Sequence, residues 1–333
     1  MKFGFSYATE RYTTSLELWE TARDAGLDQA WSWDSHVLWQ ECWSLMGWLI
    51  GTVKPDFEFG TCVTNPRTRD PIVTASAFAT LNQITDGRMI CGIGRGDSSV
   101  RVLKRKPANL ADVEHAVHVI RTLGSGAEMR VDGIDARIPW ARHEVPVYVA
   151  AYGPKALRLA GRVGDGVILQ IADPFVIEWA LRQVRASAEE ARRDPDDITV
   201  HCAAPTYISD DLDEARAKCR WFGAMVGNHI ADVLRHHDPE GLPDELVSYV
   251  EKRTHYDYHD HAGAGAEHAD YVPDEIVDRF AVIGTTEQCA EKLRELERLG
   301  VSEFNIYTQV ENILEIIETY GKAIAPGFRA PSR

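Results

Sequence analysis

The sequence predicts one α/β domain, a (β/α)8 TIM barrel, on three observations. Eight apolar-rich stretches of strand length alternate with stretches of helical periodicity. Each strand stretch is mostly apolar on both faces, the pattern of a parallel sheet covered by helices. The 333 residues show no linker or compositional break, and the length suits a barrel with insertions. An open, doubly wound sheet is the alternative.

The first strand is Lys2 to Tyr7. Thr13 to Gly26 reads as a helix, because Leu16, Trp19 and Ala22 recur on one face and Gly26 closes it. Leu27 to Trp33 is the second strand, and a helix follows over Cys42 to Val53. Phe57 to Thr64 is the third strand. Asp70-Pro71 then sets a capping Asp before a Pro at the first helical position, and that helix ends near Asp86-Gly87. Met89 to Ile93 is the fourth strand and Ala111 to Leu123 its helix. Val145 to Ala151 is the fifth strand, Pro154 to Val163 a helix, and Gly166 to Gln170 the sixth strand. Asp173-Pro174 repeats the cap-and-proline signal before a helix to about Arg193. Ile198 to Ile208 is the seventh strand. Thr285-x-x-Gln288 reads as a capping box opening a helix with Cys289, Leu293 and Leu296 on one face. Ser302 to Tyr307 is the eighth strand, and Ile313 to Ile324 closes the chain. Residues 228–278, between strands seven and eight, read as an insertion of lid length with helices over Ala231 to His236 and Asp244 to Arg253.

Composition narrows the function. Lys and Arg number 36 against 51 Asp and Glu, a net charge of −15, which disfavours nucleic acid and anionic membrane as partners. No apolar run approaches the roughly 18 residues of a membrane span. The six cysteines are scattered without a CxxC, so neither a disulfide framework nor a zinc ribbon is expected. The opening residues read as a strand and not as a secretion leader. A reduced, cytoplasmic enzyme acting on a small molecule is the expectation.

In a barrel the chemistry lies where strands end and helices begin. After strand two, Trp33-Asp34-Ser35-His36 places an imidazole at the expected mouth, where it can move a proton near neutral pH. Trp31 and Trp33 share a face and could wall a planar ring. Strand three ends Gly60-Thr61-Cys62-Val63-Thr64-Asn65-Pro66; with nothing nearby to lower its pKa, Cys62 reads as a small apolar residue. Strand four ends Gly92-Ile93-Gly94-Arg95-Gly96-Asp97-Ser98. This loop departs from G-x-G-x-x-G at Asp97 and follows the wrong strand for a dinucleotide fold. Arg95, Arg101, Lys104, Arg105 and Lys106 fall within twelve residues, a local positive patch suited to a polyanionic ligand. Strand five ends Ala150-Ala151-Tyr152-Gly153-Pro154-Lys155, a helix start that can seat a phosphate. His236, His237, His255, His259, His261 and His268 crowd the insertion, but no HExxH occurs and no metal site is expected.

These stretches resemble the bacterial luciferase-like superfamily of flavin- and deazaflavin-dependent barrels over nearly the whole chain. The most specific stretch runs from Gly60 through Asp70-Pro71, Asp86-Gly87-Arg88 and Gly92 to Asp97; it resembles the methylenetetrahydromethanopterin reductase branch, which uses the deazaflavin coenzyme F420. Ala150 to Pro154, Ala160 to Gly166 and Phe280 to Thr285 are shared more broadly. The resemblance implies a non-prolyl cis peptide at Cys62-Val63 behind the cofactor ring. It implies contacts with the deazaflavin's ring or side chain at Gly94, Gly96, Asp97 and Ser98, with Asn65 and Asp97 fixing the ring system, and a phosphate seat at Ala151, Tyr152 and Gly153. The superfamily's Asp-His pair falls on Ser35-His36, so Ser replaces Asp while His36 keeps the proposed catalytic place. The function implied is hydride transfer between coenzyme F420 and a small organic substrate, in a homo-oligomer, most simply a dimer. An FMN-dependent monooxygenase and a flavin-binding protein without turnover are the alternatives.

Overall fold

Strand and helix alternate through the computed structural model, which describes residues 1–236, 243–251 and 271–329. In order the elements are β1 (Lys2–Tyr7), α1 (Tyr12–Ala25), β2 (Gln29–Ser32), α2 (Cys42–Val53), β3 (Glu58–Thr61), α3 (Pro71–Thr85) and β4 (Met89–Ile93). Then come α4 (Ser98–Arg101), α5 (Leu110–Gly124), β5 (Met129–Val131), β6 (Ile134–Ala136), β7 (Val147–Ala150), α6 (Pro154–Val163), β8 (Gly166–Leu169), α7 (Pro174–Glu190) and β9 (Thr199–Ile208). The chain continues through α8 (Leu212–His236), α9 (Asp244–Glu251), α10 (Asp274–Phe280), β10 (Val282–Gly284), α11 (Thr286–Leu299), β11 (Glu303–Tyr307) and α12 (Ile313–Thr319).

Eight parallel strands close the barrel in the order β1, β2, β3, β4, β7, β8, β9, β11. The β8–β9 ladder, with Ile168 opposite His201, and the β11–β1 ladder, with Phe304 opposite Phe3, complete the ring. Closure leaves no free edge among these eight, the (β/α)8 arrangement that the alternation predicted.

The local signals act as the chemistry requires. Gly26 caps α1 at φ 72°. The Asp70 carboxylate accepts from the Ile72 N–H, and Asp173 from the Val176 N–H, each beside a Pro in the first turn. Thr285 and Gln288 form the reciprocal capping box. Phe5, Tyr7, Phe57 and Phe59 face outward from β1 and the β3 region onto Trp19 of α1, which stacks on Phe59 at 5.4 Å.

The barrel floor, at the N-terminal ends of the strands, is polar although buried. His201 Nδ1 lies 3.1 Å from Glu303 Oε2, and Asn305 Nδ2 lies 3.0 Å from His201 Nε2. Trp31 Nε1 donates to Gln29, and the Tyr148 hydroxyl donates to Glu303. Gly4 sits opposite this layer because a Cβ there would fall 2.0 Å from Asn305 Oδ1.

Two regions depart from the expectation. A β5–β6 hairpin turns at Asp132-Gly133, both in the left-handed region. The insertion after the seventh barrel strand is the larger correction. Residue 228 falls inside α8, so Ala231 to His236 is the end of a long helix and not a helix of its own. Helices α8, α9 and α10 all lie between β9 and β10; β10 then pairs with the far end of β9, and α11 packs against α7 as the seventh unit's outer helix. Much of the expected 228–278 insertion, namely 237–242 and 252–270, lies outside the described residues.

Candidate active site

The C-terminal ends of β2, β3, β4, β7 and β8 surround a cavity of about 390 Å³, with α8 contributing Met225 and His229. That is the end of a barrel where chemistry is built, and the volume suits a small ligand or cofactor ring.

Trp33, Asp34 and Ser35 line the cavity beyond β2. Asp34 is buried, accepting from the Thr64 hydroxyl at 2.7 Å and from Trp43 Nε1 at 3.3 Å. The Ser35 and Ser98 hydroxyls are 2.9 Å apart, tying this segment to the loop after β4. Immediately afterwards the chain turns: the N–H groups of Leu38 and Trp39 donate to the Ser35 carbonyl. This turn leaves His36 exposed and outside the cavity lining.

Beyond β3, the Cys62-Val63 peptide is cis and both residues line the cavity. Thr64 N–H donates to the Gly92 carbonyl, and Gly94 N–H donates to the Thr64 carbonyl, so this segment is laced onto the end of β4. Burial pushes the Cys62 thiol up to about 11.

The loop after β4 brings Gly94, Gly96, Asp97 and Ser98 to the cavity. Gly96 has φ 79°, and a Cβ there would lie 2.6 Å from Val100 and 2.9 Å from the Asn65 carboxamide. Asn65 itself is buried and spent on the scaffold. Its oxygen accepts from the N–H groups of Arg67 and Thr68, and its nitrogen donates to Ser99. Asn65 therefore supports the glycine loop and does not line the cavity. Asp97 pairs with Arg101 one helical turn on.

From β7 the strand alternation sends Ala150 and Tyr152 to the cavity and turns Ala151 away. Ala151 is wholly buried, and its N–H donates to Ile168. Gly153 is the N-cap of α6, with Lys155 beside it on the cavity rim. Burial raises the Tyr152 phenol well above its ordinary value, and its hydroxyl has no hydrogen-bond partner among the described residues. Gln170, beyond β8, lines the cavity and donates to the Tyr307 hydroxyl.

The cavity thus unites Cys62, Val63, Gly94, Gly96, Asp97, Ser98, Tyr152 and Gly153 of the residues expected from sequence. It leaves out His36, Asn65 and Ala151. Trp33 walls it as the alternation suggested, whereas Trp31 lies on the floor with its ring 4.4 Å from His201. Gln170, Met225 and His229 are among the lining residues that sequence reasoning missed, with Ser99, Pro107, Leu110 and Ala156. Gln170 ends the sixth strand and was legible there; His229 depends on α8, whose apolar spacing (Ala215, Cys219, Phe222, Val226) was the available signal. No cluster of three or more His, Cys, Asp or Glu able to hold a metal occurs among the described residues. His237, His255, His259, His261 and His268 lie outside them.

Comparison with known proteins agrees with this architecture. The chain is 29% identical over 99% of its length to 5,10-methylenetetrahydromethanopterin reductase of Archaeoglobus fulgidus, covering 100% of that protein. It is 25% identical to the F420-dependent glucose-6-phosphate dehydrogenase of Nakamurella multipartita, over 99% of this chain and 97% of that one. The solved structure of the coenzyme F420 dependent tetrahydromethanopterin reductase from Methanopyrus kandleri superposes with a TM-score of 0.79 at 21% identity, covering 98% of this chain and 99% of that one. The family model described as luciferase-like monooxygenase matches residues 2–303, and with nine-tenths of the chain inside that match, this protein belongs to the luciferase-like monooxygenase family.

Proposed function

We propose that this chain is an oxidoreductase that uses the deazaflavin coenzyme F420 to exchange hydride with a small organic substrate. The carrying observation is the basic stretch at the cavity rim. The chain leaves the cavity wall at Arg101 and rejoins it at Pro107, and between them Lys104, Arg105 and Lys106 are exposed. In a chain of net charge −15 this is a seat for an acidic tail, which the deazaflavin carries and FMN lacks. The relatives named above as F420 enzymes support the same reading.

The cavity residues fit such a cofactor. A Cβ added at Gly153 would meet nothing within 4 Å, so the N-terminus of α6 stands open to a phosphate. Gly94 lets the backbone approach a ring beside Val63. When bound, the deazaflavin supplies two-electron hydride chemistry. The chain orients it and keeps water away. Cys62 and Val63 back the ring, Gly94 to Ser98 hold its edge, and Tyr152 and Gly153 border its phosphate. Asn65 and Ala151 hold these segments in place from behind. Trp33, Asp34 and Ser35 are the residues after the second strand that line the site, with His36 exposed immediately beyond them.

A second reading, an FMN-dependent monooxygenase, draws on Lys155 beside the α6 N-terminus, which suits a single phosphate. Fluorescence titration of the purified protein with the deazaflavin and with FMN separates the two. Tight deazaflavin binding with weak FMN binding is expected. Reversing Lys104, Arg105 and Lys106 to Glu weakens the deazaflavin at least tenfold and flattens its salt dependence. Equal or tighter FMN binding, or charge reversal without effect, overturns the assignment.

No helix among the described residues is long and apolar enough to cross a membrane. The six cysteines are free and buried, which supports a cytoplasmic setting. An exposed Tyr12–Trp48 edge-to-face pair on α1 and α2 supports a homodimer contact there.

A further inference from the structure

Helix α8 does more than cover the barrel. It carries His229 to the cavity, where the imidazole stacks flat on Tyr152, centroids 3.9 Å apart and planes within 5°. Its Nε2 stands 4.0 Å from Asp97 Oδ2. Three separate elements thus converge: the loop after β4, the loop after β7, and the inserted helix. The 4.0 Å gap is too long for a direct hydrogen bond, yet an oxygen or nitrogen of a bound molecule about 2.8 Å from each atom fits between them. The ring is about one-quarter exposed, so it can exchange its proton with solvent.

We propose that His229 is a catalytic residue of this site, the group that passes a proton between its Nε2 and a heteroatom of the substrate, while Tyr152 acts as the positioning residue that fixes its ring and Asp97 faces the same Nε2 across the gap which that heteroatom would fill. The proposal rests on the hydride-transfer reading above. In the direction of substrate reduction, hydride supplied by a bound deazaflavin would reach carbon. The π pair of the substrate's double bond would move onto its heteroatom, and that atom would take the proton from Nε2, leaving neutral imidazole. In the opposite direction Nε2 accepts the proton as hydride leaves carbon. No further reductant or oxidant is needed.

The charged surroundings suit this task. Asp97 faces the imidazole and favours its protonated form. Tyr152 offers a ring face to the same cation. Arg101 pairs with Asp97, and Arg95 and Lys155 also line the cavity.

The test uses His229→Gln, His229→Ala and Asp97→Asn. In the ligand-free protein, NMR titration of the imidazole, identified by its absence in His229→Gln, reads the pair directly. Asp97→Asn should move the His229 midpoint downward by half a pH unit or more. An unmoved midpoint overturns the pairing. With cofactor and substrate, His229→Gln should lower kcat at least tenfold and remove one limb of its pH profile, while deazaflavin affinity stays within threefold. A variant with wild-type kcat and pH profile overturns the catalytic role, as does one whose defect is confined to cofactor affinity. The titration needs no cofactor. Failure of the His229–Asp97 pair and failure of the deazaflavin assignment therefore appear in different experiments.

Discussion

Replacing Gly96 with Ala tests the loop that shapes the cavity. At φ 79° the backbone lies in the left-handed region, where a Cβ costs about 1–2 kcal/mol. The added methyl would also meet Val100 at 2.6 Å and the Asn65 carboxamide at 2.9 Å. Val100 is buried, and Asn65 is held by the N–H groups of Arg67 and Thr68 and by Ser99, so neither yields without loss. Relieving that overlap costs about 1–3 kcal/mol. A combined destabilisation of about 3 kcal/mol is expected. Urea denaturation with a two-state fit, read by tryptophan fluorescence, measures it. If the loop yields locally, the loss moves to cofactor affinity, and about 3 kcal/mol corresponds to a dissociation constant weaker by roughly a hundredfold. A Gly96→Ala protein within about 0.5 kcal/mol of wild type in stability and with unchanged affinity refutes the argument that this position requires glycine.

Cys62 lines the cavity yet should be inert: with its thiol pushed up to about 11, roughly one molecule in a thousand is thiolate at pH 8. An aromatic disulfide reagent should titrate essentially none of the six thiols in the native protein and all six in denaturant, with native reactivity rising about tenfold per pH unit below 11. A fast, stoichiometric native reaction at pH 8 that Cys62→Ser abolishes would refute this. Tyr152→Phe removes a buried hydroxyl that has no partner among the described residues and keeps the ring that stacks on His229. Ligand-free stability should rise by about 1 kcal/mol in urea melts, because the desolvation cost of that hydroxyl disappears; a loss of that size would mean the hydroxyl is satisfied.

The outer frame of this fold was legible because its signals are local. Asp70, Asp173 and Thr285 bond to N–H groups two or three residues ahead, and Gly26 acts on its own helix, so a short window of sequence contains the whole interaction. The hairpin at Asp132-Gly133 carries a turn signal of the same kind. Helix α8 was also locally marked, since Asp211 accepts from the N–H groups of Asp213 and Glu214 at its start. The site divides along the same line. Glycines and strand ends announce a cavity. Which side chains enter it depends on turns and crossings that no local window holds. His36 and Ser35 are neighbours in sequence, yet only Ser35 lines the cavity. Asp97, Tyr152 and His229 are far apart in sequence, yet they meet.

The buried polar floor has a consequence for how this barrel can change. A slip of one residue between strands would reverse every side chain and leave the Glu303 carboxylate sealed in without His201. The floor thus works as a parity check on closure, spread over β2, β7, β9 and β11, at the rim opposite the cavity. Closure is specified at one end while the cavity opens at the other. Loops at the working end can be recut, lengthened or exchanged for a new substrate, and the check that makes the barrel close correctly is untouched.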